Sequence, residues 1–268
     1  MLRKTLRRCL PIFSLTLARK SYAKNLQYRK AHILRMLASV AIGYVYMSVW
    51  TGVSGGESLG AYGMHGMISY IAFNQACIWI LLTTNGLGID AMVRTGQIAS
   101  ELMKPMHFFW YMLSKEWGQS FYQFVYSTLP ILLIYVLLLG IRTPEHPINW
   151  LWTLLALFFS AYLSLCIGYM IGITALWTTE SRWFSHVHHG FNMLLSGFFI
   201  PVEWLPGWLK NVSLLTPYPC LQYIPARIYL EMDSVSSLKL SLVWSVLLTA
   251  VCFALTHAVR RKVEVQGG

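Results

Sequence analysis

The 268 residues are 56% hydrophobic and only 12% charged, about half the charged share of a soluble domain, and the mean hydropathy is +0.52. So little polar surface cannot cover a water-soluble core, and the chain reads as an integral membrane protein. The formal net charge of +11 does not point to nucleic acid, because ten of the twenty-one Lys and Arg lie within residues 1–35 and only Arg142 stands between Lys115 and Arg182.

Residues 1–33 are too polar to span a bilayer. Leu2, Leu6, Leu10, Phe13 and Leu17 recur every three or four positions, with Arg3, Lys4, Arg7, Arg8, Arg19, Lys20 and Lys24 among them. This is the pattern of a basic amphipathic helix lying in the interface of an anionic leaflet, bent or restarted at Pro11. A plain charged topology determinant is the other reading. Arg19 and Lys20 directly follow the short apolar run 9–18 without a small-residue cleavage site, which argues against a cleaved signal.

Six apolar runs then approach the roughly 20 residues that a crossing helix needs. They fall near 34–53, 65–84, 119–140, 149–174, 185–202 and 239–258. The fifth is the weakest, since it opens on His186, His188 and His189; a partly buried or broken helix is the alternative there. The expected fold is therefore all-α and polytopic: a 1–33 interfacial segment, a six-helix domain over 34–258, and a short basic tail over 259–268. Long unbroken runs argue against a barrel. With the N-terminus in the cytoplasm, seventeen of the twenty-one cations fall inside, while the ten acidic residues divide equally, as the positive-inside rule requires. An even number of crossings places both termini in the cytoplasm. Tryptophans 50, 110, 117, 150, 152, 177, 183, 204 and 208 fall near the ends of spans, as interfacial anchors do.

Two connections are too long to be simple links. The cytoplasmic stretch 85–117 is punctuated by Gly86, Gly88 and Gly96, with Ile98, Leu102 and Met103 near one face and Glu101 and Lys104 beside them. Pro105 ends or kinks that short helix. The outer stretch 201–238 is divided by Pro201, Pro206, Pro217, Pro219 and Pro225 yet stays apolar. Short helices dipping into the outer leaflet fit it better than an aqueous loop; Gly207 after Pro206 suggests a tight turn.

Little catalytic chemistry is available. SGGESLGAYG near residue 54 lacks the lysine and the strand-to-helix setting of a phosphate-binding loop. No acidic residue lies centrally in any crossing, which counts against an ion-driven carrier, although backbone ligands on broken helices could evade that test. His186, His188 and His189 lack a partnering carboxylate, so interfacial packing is preferred to a metal site. Five cysteines, at 9, 77, 166, 220 and 252, show no metal-ligand spacing; only Cys220 looks externally placed. Asn74, Asn192 and Ser196 are polar within spans and need partners, either as glue between helices or along a translocation route. Phe198 and Phe199 suit a seal or a lipid-facing surface, and Gly168 and Gly172 form a small surface for close helix contact.

RTGQIASELMKP over 94–105 resembles the intracellular motif of the ABC-2 family permeases near the daunorubicin-type exporters, with Gly96, Glu101, Leu102 and Pro105 in a G-x-x-x-x-E/D-L-x-x-P pattern. SGFFIPVEWLPGWLKNVSLLTPY, beginning at Ser196, resembles that family's fifth-helix end and external re-entrant segment through Ser196, Gly197, Pro201, Pro206, Trp208, Leu209 and Pro217. ARKSYAKNLQYRKAHILRML resembles its approach to the first helix. Gln97 departs from the pattern, standing where many relatives carry an acidic residue.

The resemblance implies the permease subunit of an ATP-driven exporter in a bacterial inner membrane. It would not be catalytic by itself and would bind no cofactor, with ATP and Mg held by separate cytosolic ABC ATP-binding subunits. A second identical or related permease chain and membrane lipids would be its other partners. The coupling contacts would be Arg94, Gly96, Glu101, Leu102, Met103, Lys104 and Pro105, with Leu102 and Met103 packing into the ATPase. Asn74, Asn192, Ser196, Phe198 and Phe199 would be pathway candidates. Rival readings are an ATPase-independent secondary transporter, and a resistance or sensing permease that does not complete export. No residue pattern selects the cargo.

Overall fold

In the computed structural model the described residues are 15–25, 29–54, 60–82, 85–104, 106–178 and 180–266. All the regular structure among them is helical. Pro105, Cys9 and most of the basic N-terminal pattern lie outside these residues. Helix α1 covers residues 15–25, followed by α2 (Arg29–Ser54), α3 (Gly63–Leu81), α4 (Ile89–Arg94), α5 (Ile98–Leu102), α6 (Phe108–Gln123), α7 (Leu129–Leu139), α8 (Pro147–Ile173), α9 (Ala175–Thr178), α10 (Arg182–Leu195), α11 (Gly207–Leu214), α12 (Tyr223–Tyr229) and α13 (Leu238–Gln266).

Among the described residues, five helical stretches are long and apolar enough to cross a membrane: His32–Val53, Gly60–Arg94, Phe108–Leu139, Pro147–Thr178 and Val235–Val259. The expected fifth span of six is not among them. Its helix, α10, has 14 residues, about 21 Å at the α-helical rise, which is short of a hydrocarbon core about 30 Å thick. The path continues without a regular helix. Ser185 and His186 share a cavity with Gly86 at one end of α3, while Trp204 packs on Tyr62 and Trp50 at the other end.

The third span begins earlier than expected, at Phe108 rather than near 119, which shortens the 85–117 connection. A five-residue π-turn over Phe124–Thr128 joins α6 to α7. Pro130 explains it, since proline offers no N–H and crowds the carbonyl four residues back, and a wider turn relieves both.

α3 sits at the centre. Thirteen of its 19 residues are buried, from Gly66 to Leu81, against α2, α7, α8 and α12. Ser39 of α2 is the polar joint: its hydroxyl accepts from Gln75 Nε2 at 3.2 Å and Trp79 Nε1 at 2.9 Å. Tyr135 donates to its carbonyl at 3.2 Å. α13 runs along α8, joined by the Tyr169–Thr256 hydroxyl pair at 2.6 Å and by Cys252 Sγ donating to the Cys166 carbonyl at 3.6 Å. Cys220, read from sequence as external, is fully buried, because the segment carrying it folds inward against α8. Gly207 does not turn the chain; it opens α11 behind Pro206.

Candidate functional site

The first site is the turn-and-helix segment after α3. Gly86, Leu87 and Gly88 all take positive φ, at 54°, 53° and 72°. The left-handed conformation is cheap for glycine and strained for leucine; burial of the Leu87 side chain holds it there. A Cβ on Gly172 would collide with the Gly86 carbonyl, so this member of the Gly168/Gly172 pair lets the turn lie flat on α8. Gly168 lines the cavity beside α10 instead.

α4 and α5 are separated at Gly96, whose φ is +72°. Met92, Val93, Ile98 and Leu102 turn inward and pack on the core. Outward face Thr95, Gly96, Gln97, Ala99, Ser100 and Met103, and Met103 is 78% exposed. Charge fixes the segment's edges. Arg94 bonds Asp90 at 3.1 Å and lies 3.7 Å from Glu180, while Lys104 Nζ donates to Glu101 at 2.5 Å and to the Tyr111 hydroxyl at 3.0 Å. Partial burial pushes the Glu101 carboxyl upward, but hydrogen bonds from Lys104 and Tyr111 outweigh it and hold the group below its ordinary value. Lys104 likewise ends above its ordinary value. Of the two apolar residues expected to pack into a partner, Leu102 is half-buried against the core and Met103 projects.

The second site is where α10 stops. Gly197, at φ +78°, has Tyr223 Cβ and the Tyr70 hydroxyl so close that a side chain would strike both. Its carbonyl accepts from Tyr70 and, at 3.3 Å, from Asn74 Nδ2, which also reaches the Phe198 carbonyl at 3.4 Å. Ser196 donates to Gln222 Oε1 at 2.9 Å. Asn74 thus ties α3 to the turn after α10, and Ser196 ties that turn to Gln222 at the start of α12. Asn192 stands apart, half-buried, lining a cavity of about 160 Å³ with Ser185, His186, His188 and His189. His188 meets the Tyr218 hydroxyl at 3.2 Å. Among the described residues no group of three His, Cys, Asp or Glu is placed to hold a metal ion. Phe198 and Phe199 form an aromatic cluster with Tyr46.

From Trp204 the 201–238 segment returns along α10, where the Ser213 hydroxyl donates to the Leu195 carbonyl at 2.8 Å. Ser160, midway along α8, donates to the Leu221 carbonyl. Glu231 then accepts from the Glu145 and His146 amides and from Asn149, at 2.9, 3.1 and 2.8 Å, where α8 begins. Pro201 is buried, Leu209 and Pro217 are half-buried, and Pro206 and Trp208 are exposed. Sequence reasoning missed the cluster that holds this segment: Arg227 bonds Glu203, Asp233 at 3.1 Å and the Tyr62 hydroxyl at 3.3 Å. The available signal was sparse charge in an apolar stretch, Lys210 and Arg227 set among Glu203, Glu231 and Asp233.

Comparison with individually curated proteins gives no match. The family model described as "ABC-2 family transporter protein" matches residues 31–265, nearly the whole chain. With five apolar candidate spans and an all-helical fold, the chain belongs to the ABC-2 membrane transporter family and is a transport component, not a catalyst by itself.

Proposed function

We propose that this protein is the permease subunit of an ATP-driven exporter, akin to the daunorubicin-type permeases, in a bacterial plasma membrane. α4 and α5 seat in a groove of a separate cytosolic ATPase subunit, which holds ATP and Mg. The observation that carries this is the outward tip of α4–α5: small and polar residues around Met103, bounded by ion pairs and backed by a packed inner face. Such a segment can transmit a push because it cannot collapse onto its own core. Arg94, Glu101 and Lys104 supply rim contacts, each a weak term alone.

The sorting of cations puts α4–α5 and both termini in the cytoplasm. α10 and the stretch to Trp204 together make the fifth of six crossings, and 201–238 is re-entrant from the outer side. Buried backbone at that depth is tolerable because side chains such as Ser160, Tyr70 and Asn74 satisfy it. Two permease chains, identical or related, would surround the route. ATP binding would favour one of two packed states rather than deform the helices continuously.

Gentle extraction of the intact complex, followed by identification of bound proteins and measurement of ATP hydrolysis, tests this. Met103→Asp is expected to weaken ATPase association at least fivefold, the effect of losing an apolar anchor worth about 1 kcal/mol or more, with the permease still folded. Unchanged association and nucleotide-linked transport would remove the coupling assignment. A secondary carrier would retain no ATPase in either form.

A further inference from the structure

A cavity of about 380 Å³ opens between α1, the turn after α3, and α6. Lys20 and Lys24 enter from α1, one turn apart, and Lys115 enters from α6. Leu17 and Leu87 give the cavity an apolar side, and Tyr111, Ser21, Asn25 and Gln119 give it hydrogen-bonding groups. Glu116 also lines it, buried and engaged with a partner, so three lysines and one glutamate border the cavity, with Glu101 within electrostatic reach of Lys115. Lys20 and Lys24 are exposed and Lys115 is half-exposed. The cavity is built rather than incidental. α1 crosses α6 where a Cβ on Gly118 would collide with the Ala18 carbonyl, and Tyr22 packs on Phe121, Tyr122 and Tyr126.

We propose that this cavity holds the phosphodiester headgroup of an anionic membrane lipid, with Lys20, Lys24 and Lys115 around the phosphate and Leu17 and Leu87 against the glycerol and first acyl carbons. Lysine suits this task as a mobile point charge with three donors, and basic pockets between helices on the cytoplasmic side are suited to acidic headgroups. The mixed lining selects a tethered phosphate over a free one, since a free anion gains nothing from the apolar side. The site touches the coupling segment through Gly88, which caps α4, and through Tyr111, which also receives the hydrogen bond from Lys104, the partner of Glu101. A bound headgroup therefore steadies the side chains that anchor α5. The proposal rests on the cytoplasmic placement of α1 and α5 given above.

The test places the full chain, with its ATPase where one is retained, in nanodiscs of phosphatidylcholine with or without phosphatidylglycerol. Retained lipid is read by native mass spectrometry and unfolding by a thermal melt. Phosphatidylglycerol should be retained and should raise the melting temperature. Lys20→Gln, Lys24→Gln and Lys115→Gln should each weaken retention about fivefold, the equivalent of roughly 1 kcal/mol per surface cation. Arg19→Gln, on α1 but outside the cavity lining, should weaken it clearly less. Equal losses for Arg19→Gln and Lys20→Gln would overturn the site in favour of diffuse attraction. Displacement of the lipid by inorganic phosphate or glycerol phosphate would reassign it to a soluble anion and equally overturn the proposal. Labelling Lys24→Cys from each side of sealed vesicles separates the two failures: reaction from the outside alone removes the cytoplasmic placement itself.

Discussion

Asn74 illustrates how a polar residue within a span is decided by its partners. Its amide donates to two buried carbonyls at the turn that stops α10, and its own Oδ1 meets no partner among the described residues. Asn74→Ala is expected to cost about 1–3 kcal/mol, the penalty for leaving a buried polar group unsatisfied, read as a lower thermal midpoint. If it changed cargo preference and left stability untouched, Asn74 would belong to the pathway. Gly172→Ala should destabilise by about 1–3 kcal/mol through overpacking, because the Gly86 carbonyl occupies the required space. The Glu101–Lys104 pair gives a pH expectation. Glu101 lies below its ordinary 4.5 and Lys104 above its ordinary 10.5, so the pair's support is present between those values. It is lost as pH falls through the depressed Glu101 value or rises through the raised Lys104 value. Acidification should therefore lower the midpoint of the wild type more than that of Glu101→Gln. Residue types and spacing marked Asn74, Glu101 and Lys104 as notable, but not which way Leu102 and Met103 point. In a five-residue helix one residue turns the face by about 100°, so adjacent positions take opposite fates.

At the scale of elements, apolar run length made α2, α3, α8 and α13 legible, because their burial needs only a continuous hydrophobic stretch. The third span was misjudged at its start: YMLSKEWGQS reads as polar, yet its Glu116, Ser120 and Gln123 are buried against neighbours, so tertiary partners override hydropathy there. The fifth was misjudged at its end, since Gly197 and two captured carbonyls stop a helix that hydropathy alone would carry to residue 202. Neither signal is local. Gly118→Ala is expected to loosen α1 from α6, seen as faster protease cleavage within residues 15–25 at little cost to the remaining fold, because the colliding carbonyl belongs to α1.

For the whole molecule, charge sorting predicts the sides. Ser100→Cys should react with a membrane-impermeant thiol reagent only from the cytoplasm, and Ser236→Cys only from outside; reversed reactivity would leave the ATPase with nothing to grip. How far the 201–238 segment reaches along α8 was outside the reach of sequence, because it depends on Ser160 and Leu221, 61 positions apart, meeting midway along that helix.

The stop at Gly197 has a mechanical consequence. Beyond it, the stretch from Leu221 through α12 to Glu231 is tied to α8 and to the start of α3 by hydrogen bonds and by the Arg227 cluster, whereas α11 rests on α10, and α10 is exposed along most of its length. α10 is then held at both tips, by the turn at Gly197 and by buried Ser181 beside Gly86, so a displacement of the turn after α3 is expected to tilt the helix as a unit and to be felt by α11 through Ser213.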